Sequence, residues 1–376
     1  MTRVLVISHE YPPFGGGAGV VAQDMCRGLS KTMDITLVTN NGKVKVNELF
    51  DVVLVNTIPK IRFLNYWMAV KKLNLENFDK IILNDIGSAL MASLFFNIQL
   101  MKKSIVYLHG SEPENIFVEP EFIFKLLSFK RKYSRLLNNC FSIVAVSDYM
   151  KSKFLKITKS HQLDEKINVI NNGIDTDIFN YTKSNIRQLH NIPQRAKIVI
   201  SVSRVVVGKG YPKMYDIMKQ LIDKAPNVYW LIIGSGDFSK QLQDRVALDG
   251  MSNNIKLLGQ VPRGDLKLFY SSADMFLLLS EFFESLGLAY LEANACGCPV
   301  IGNDKGGVSD IITNGRNGYK IPQLASDGYI LDKIDKVLFQ QTINEKNINE
   351  FSNKYSIESS IEQLRSLLLT LVPVNK

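Results

Sequence analysis

The chain is punctuated by short runs of Val, Ile and Leu, each followed by a helical or turn-rich stretch. In the first half these runs lie at 4–8, 35–39, 52–55, 80–83, 104–108 and 142–146. They are apolar on successive residues rather than alternate ones, as expected of strands covered on both faces. Helical segments at 20–30 and 122–137 lie between them. Such alternation predicts a parallel sheet flanked by helices, a doubly wound α/β domain. The series pauses at NNGIDTDIFN (171–180), a cluster of turn formers. It restarts at 197–202 and continues through 228–233, 255–258, 275–279 and 299–301. The reading is two Rossmann-like α/β domains, 1–180 and 181–350, with a polar C-terminal segment, 351–376, that ends in a helix over 357–371. A length of 376 residues suits two domains of ordinary size.

Composition removes several alternatives. The chain is 46% hydrophobic and 22% charged, which excludes a disordered or fibrous protein. The longest apolar stretch, 89–101, is interrupted by Ser93, Asn97 and Gln99, so no transmembrane helix is predicted. The N-terminus lacks the long apolar run of a signal peptide, and only four cysteines occur, which together predict a reducing, cytoplasmic setting. Cys296 and Cys298 have no second Cys or His cluster near them, so no zinc site is expected. The net charge of +9 is spread along the chain rather than gathered in a tail. That suits a phosphate-bearing ligand or an anionic membrane surface better than nucleic acid.

Open α/β sheets bind ligands beyond the C-terminal ends of their strands, and the chemistry-bearing motifs fall there. EYPPFGGGAGVV (10–21) follows the first strand, where glycines allow close backbone approach and a helix N-terminus favours an anion. Its GAGVVA portion matches a dinucleotide fingerprint, but the glycines come late for the first turn. The second strand ends in Thr39 and Asn40 without the acid that would hold a ribose. SRVVVGKG (203–210) follows the first strand of the second domain. Arg204 offers a planar fork and Lys209 a point charge, a pairing suited to a diphosphate. SEFFESLGLAYLEANACGCPVI (280–301) carries Glu284 and Glu292. Ser285 is expected to cap a helix from about Leu286, placing Glu292 about two turns inside and leaving the amides of Leu286, Gly287 and Leu288 open to an anion. His109 ends a strand, and Gly234 and Gly236 follow another.

These residues resemble the retaining nucleotide-sugar glycosyltransferases of glycosyltransferase family four, which have the GT-B fold: two Rossmann-like domains facing a central cleft. The likeness rests on Glu284-x7-Glu292 with the following Glu-Ala-x-Ala-Cys-Gly-x-Pro-Val, the Arg204…Lys209-Gly210 pair and the PP…GG loop. Asn172-Gly173-Ile174-Asp175, Gly234-Ser235-Gly236, residues 259–262 and Gly306-Gly307 support it. The resemblance implies an acceptor-binding first domain and a donor-binding second domain. Arg204 and Lys209 would hold the donor diphosphate, Glu292 the ribose, and Glu284 the sugar hydroxyls, with the amides near Gly287 assisting. Gly16 and Gly17 would approach the phosphate, His109 would lie beside the transferred sugar, and the backbone near Val261 would meet the base. The C-terminal helix would cross back onto the first domain. Departures from the pattern are Ser203 for a Gly, Leu286 for a Phe and Asp310 for a Glu.

The expected reaction is hexose transfer with retention, from a nucleotide-diphosphate sugar (UDP-sugar favoured, GDP-mannose the alternative) to a hydroxyl of a cell-surface glycan or lipid-linked acceptor. No cofactor and no metal are expected, because two cations can stabilise the leaving diphosphate. Basic and aromatic residues mix at 60–72 and 121–137, which fits either docking on an anionic membrane from the cytoplasm or ordinary packing on the sheet. The competing readings are a transferase with a soluble small acceptor, a non-catalytic nucleotide-sugar-binding subunit, and a nicotinamide-dependent oxidoreductase.

Overall fold

A computed structural model of the protein describes residues 1–13, 16–42, 48–58, 61–344, 348, 350 and 353–370. Phe14, Gly15 and Lys60, which the motifs above include, lie outside the described residues. The chain divides into two compact units, 1–172 with 357–376, and 173–356. The first division falls inside the turn-rich segment NNGIDTDIFN.

The first unit is built on β1 (Arg3–Ile7), β2 (Asp34–Asn40), β3 (Asp51–Val55), β4 (Lys80–Leu83), β5 (Ser104–Leu108), β6 (Ser142–Ala145) and β7 (Ile167–Val169). All pairings are parallel, in the order β3-β2-β1-β4-β5-β6-β7. Residues 4–7 of β1 and 81–83 of β4 are wholly buried, which is why these strands read as unbroken apolar runs. Each such Val, Ile or Leu stabilises the fold by roughly 1.5–3 kcal/mol when fully buried. β7 escaped the sequence reading because it is a three-residue edge strand with an exposed Asn168 at its centre. Strand order reverses between β1 and β4, so the C-terminal ends of these two strands flank the topological switch point.

The helix Gly17–Leu29 buries Ala22, Met25, Cys26 and Leu29. The C-terminal helix Ile357–Leu369 packs in the same unit, with Leu364 and Leu368 in its core. Gly28 makes this approach possible, since a Cβ there would stand 2.5 Å from Ile361 Cγ1. The stretch 122–137 is not one helix. It breaks at Ser128 (φ 51°) into Phe122–Leu126, which buries nothing, and Phe129–Asn139, which buries Phe129, Tyr133, Leu136 and Leu137.

The second unit holds β8 (Lys197–Val202), β9 (Val228–Ile233), β10 (Ile255–Gly259), β11 (Met275–Leu278), β12 (Val300–Asn303) and β13 (Gly318–Ile321). Their order is β10-β9-β8-β11-β12-β13, again with parallel pairings. Edge strand β13 was also missed, its glycine, tyrosine and lysine hiding it among turn formers. Here the switch point lies between β8 and β11. The loops after those strands carry SRVVVGKG and SEFFES.

Candidate functional site

The loop after β8 ends in a 3-10 turn, Val207–Lys209, and enters the helix Tyr211–Lys224 through Gly210. Gly210 has φ +80°, and a Cβ there would sit 2.0 Å from the Leu279 carbonyl oxygen, so only glycine fits. The Glu281 amide donates to the Gly208 carbonyl at 2.8 Å. Backbone contacts therefore fasten the loop bearing Lys209 to the loop bearing Glu284.

Lys209 Nζ forms an ion pair with Glu284 Oε1, and Ser280 Oγ donates to that oxygen at 2.9 Å. The two side chains are 14% and 21% exposed, so the pair is largely desolvated yet reachable. Among the described residues Glu284 Oε2 has no hydrogen-bond donor, and the Arg204 guanidinium, which is exposed, has neither an acceptor nor a counter-ion. The Glu284 backbone is braced from β12's side. The Gly307 amide donates to the Glu284 carbonyl at 2.7 Å, and a Cβ on Gly306 would meet the same oxygen at 2.6 Å.

Two expectations for this segment need correction. Ser285 does not cap the helix: it runs over Leu288–Ala295 with Gly287 at its N-cap in the left-handed region (φ 90°), and no side chain caps it. A Cβ at Gly287 would press on Tyr290, Val308 and Ile311, and its φ disfavours any other residue. Glu292 consequently stands little more than one turn into the helix, not two. Leu286 is 2% exposed, so its side chain belongs to the core and only its backbone can serve a ligand.

Glu292 is buried. Arg263 Nε lies 3.6 Å from Oε1, and the Tyr270 hydroxyl donates to Oε2 at 3.4 Å. Burial, and then the neighbouring Glu292 charge, push the Tyr270 phenol well up, so it stays a neutral donor. Arg263, Tyr270 and Ser280 were missed from sequence because the contacts of Arg263 and Tyr270 cross between elements and carry no spacing signal.

Gly234 and Gly236 have a packing role that sequence could not separate from ligand contact. A Cβ on Gly234 (φ +129°) would meet the Ser203 carbonyl oxygen at 1.9 Å, and one on Gly236 the Val205 carbonyl oxygen at 2.4 Å. They let the loop after β9 lie flat against the loop bearing Arg204. Val261 is half-buried in the connection that follows β10.

In the first unit, Gly16 is the N-cap of the first helix, and its amide donates to Glu10 Oε2 at 2.6 Å. A Cβ on Gly17 would have nothing within 4 Å. His109 follows β5 and meets residues from the ends of β1 and β4. Its Nε2 lies 3.2 Å from Asn84 Oδ1, while Asn84 Nδ2 donates to Ser8 Oγ and the Ala18 carbonyl, each at 3.0 Å. Beside them His9 Nδ1 pairs with Asp85 Oδ1 at 2.8 Å, and His9 Nε2 is buried without a partner among the described residues. Burial would raise the Asp85 carboxyl, but the His9 charge and hydrogen bonds from His9 and the Ser88 amide hold it well below the usual carboxylate range. Asp85 also caps the helix Ile86–Phe95 in a capping box with Ser88. That D-x-x-S spacing was the sequence signal that could have found it. Among the described residues no group of three or more His, Cys, Asp or Glu could share a metal ion.

Comparisons place this geometry among known proteins. The family model described as "Glycosyltransferase Family 4" matches residues 15–178, and "Glycosyl transferases group 1" matches 182–355. The chain is 29% identical over 205 residues to the GDP-mannose-dependent monoacylated alpha-(1-6)-phosphatidylinositol monomannoside mannosyltransferase of Corynebacterium glutamicum, covering 52% of this chain and 51% of that one. It is 26% identical over 229 residues to the amylovoran biosynthesis glycosyltransferase AmsK of Erwinia amylovora, covering 60% and 52%. The chain thus spans about half the length of the curated relatives it matches. Its fold superposes with a TM-score of 0.77 on HepE of Anabaena, solved in complex with UDP and glucose, at 18% identity over 99% of this chain and 100% of that one. With both family models matched in succession along nearly the whole chain and two doubly wound parallel sheets carrying the motifs at their switch points, the chain belongs to the GT-B glycosyltransferases of glycosyltransferase family four.

Proposed function

We propose that the protein transfers a hexose, with retention, from a nucleotide-diphosphate sugar to a hydroxyl of a cell-surface glycan or lipid-linked acceptor. The second unit binds the donor and the first binds the acceptor. One observation carries the reading: an Arg204 guanidinium without a counter-ion among the described residues, and Lys209 tied to Glu284, both at the switch point between β8 and β11. Cleavage of the anomeric C–O bond builds negative charge on the departing diphosphate. Arg204, Lys209 and the amides at the start of the helix Leu288–Ala295 supply preorganised positive groups for it. Glu284 offers Oε2 to sugar hydroxyls, Glu292 takes the ribose, and the backbone near Val261 takes the base. Gly16 and Gly17 serve the phosphate and His109 the transferred sugar. The acceptor hydroxyl attacks from the leaving-group face, and the departing phosphate takes its proton.

The names of relatives favour a glycan or glycolipid product. A UDP-sugar is the favoured donor, in line with the UDP and glucose named for HepE, and GDP-mannose is the alternative named for the Corynebacterium enzyme. The first unit exposes Val118, Phe122 (80%) and Leu126 beside Lys125, Lys130 and Arg131, a surface suited to an anionic membrane on its cytoplasmic face. Among the described residues no helix is long and apolar enough to cross a bilayer.

The test is a thermal-shift series with UDP, GDP, ADP and their sugars, since a ligand that binds only the folded state raises the melting temperature. A shift with one nucleotide-sugar, followed by its turnover in excess EDTA, supports metal-independent transfer. No shift with any nucleotide rejects the donor site, and abolition of turnover by EDTA rejects the metal-independent route. Co-sedimentation with anionic vesicles at low salt tests the membrane surface, and its absence removes that part.

A further inference from the structure

The polar groups at the first unit's switch point determine more than the position of His109. The Asn84 side chain is fully buried, and its amide has a single chemically sensible orientation. One end lies 3.0 Å from the Ala18 carbonyl oxygen, which can only accept. That end must therefore be the NH2, and it also donates to Ser8 Oγ at 3.0 Å. The reversed amide would set two oxygens against each other. With the NH2 so committed, Asn84 Oδ1 faces His109 Nε2 as an acceptor, and Nε2 must carry a proton.

One further contact holds the ring and two hold the backbone that carries it. Its ring stacks on Tyr107 at a centroid distance of 5.6 Å and 23°. The His109 and Gly110 amides donate to the buried Glu112 carboxylate at 3.0 and 2.6 Å. Burial holds the imidazole pKa below its ordinary value, against the opposing pull of Glu112, of Asp85, of a hydrogen bond to the Asn84 backbone and of Glu10. The neutral ring then has one proton, on Nε2. Its Nδ1 is a bare acceptor, without a protein donor among the described residues, on a partly exposed side chain.

We propose that Asn84 is a positioning residue that locks His109 in the Nε2–H tautomer, so that Nδ1 accepts a hydrogen bond from a substrate hydroxyl. Only the identity of that hydroxyl, on the sugar or the acceptor, rests on the proposed transferase activity. The tautomer itself does not. A site built to accept from a hydroxyl discriminates against a partner that lacks one. With the other tautomer an N–H would meet the hydroxyl hydrogen's usual place, and the contact would have to invert.

The chain has four histidines, so long-range ¹H–¹⁵N correlations of the full-length, ¹⁵N-histidine-labelled protein are resolvable, and His109→Gln assigns the signal. At neutral pH the expected pattern is a protonated Nε2 and an unprotonated Nδ1. A protonated Nδ1, alone or with Nε2, overturns the proposal whatever the enzyme does. In Asn84→Ala the expected result is a mixture of both tautomers together with about a tenfold fall in kcat and a smaller change in donor KM. An unchanged tautomer in that variant overturns the positioning role. If the wild-type pattern is found but no nucleotide-sugar is turned over, the transferase reading fails and the tautomer assignment stands.

Discussion

The two units place polar residues at equivalent points of similar sheets yet manage charge in opposite ways. In the second unit the switch-point loops expose the Arg204 guanidinium, which has no counter-ion among the described residues, and hold Lys209 and Glu284 as a largely desolvated pair, while Glu292 lies near Arg263. In the first unit the corresponding loops bury a largely neutral network, Ser8, Asn84 and His109, beside the His9–Asp85 pair. Exposed cations suit a multiply charged ligand whose charge grows during reaction. A dry network of fixed donors and acceptors suits recognition of neutral hydroxyls, because each buried polar group left unmatched costs about 1–3 kcal/mol. The same topology thus carries an ionic set of side chains at one group of strand ends and a largely neutral set at the other.

Variants that invert this division have the largest effects. Glu284→Ala should lower kcat by about a hundredfold or more while nucleotide affinity, read by titration, stays within about threefold. Equal loss of both would mean that the loop has collapsed rather than lost a sugar contact. Lys209→Ala should lower kcat/KM by at least about tenfold, or ~1.4 kcal/mol, by removing a charge-assisted contact to the leaving group. A near wild-type rate would assign the role to Arg204 alone.

The first unit's ionic exception is tested through pH. The Asp85 carboxyl is depressed in the folded state, so its contribution is present above the unfolded carboxyl pKa of about 3.9 and is lost as pH falls through the folded value. Asp85→Asn should therefore cost roughly 1–3 kcal/mol at neutral pH, through the cap and the His9 pair. The gap between the two unfolding curves should narrow progressively as the pH is lowered below about 4. A gap that stays constant down to acid pH would show that the carboxylate charge contributes nothing. The smallest effect is expected at Gly17. A Cβ there meets nothing within 4 Å, so Gly17→Ala should change stability by no more than about 1 kcal/mol. Any loss of donor affinity without loss of stability would then report close approach of a phosphate to this backbone.

Much of the fold was legible because parallel strands buried on both faces leave continuous apolar runs. The central strands β1, β4, β8 and β11 announced themselves in this way, whereas edge strands β7 and β13, shorter and half polar, did not. Of the candidate site, Arg204, Lys209, Glu284 and Glu292 were visible as charged residues in fixed relation to strand ends and glycines. Ser285 misled because a Ser before an apolar run reads as a cap, while the left-handed Gly287 had already claimed that position. Arg263, Tyr270, Ser280, Asn84 and the His9–Asp85 pair were not singled out, although Asp85 and Ser88 carried a capping-box signal. Their partners are mostly far along the chain.

The residues alone determined the architecture and the chemical class of the groups at each strand end, because apolar periodicity and side-chain charge are properties of the linear string. Which of those groups are paired, which are bare, and which nitrogen of His109 carries the proton were decided only by the tertiary structure. A hydrogen bond depends on the direction and separation of atoms that the sheet brings together from remote parts of the chain.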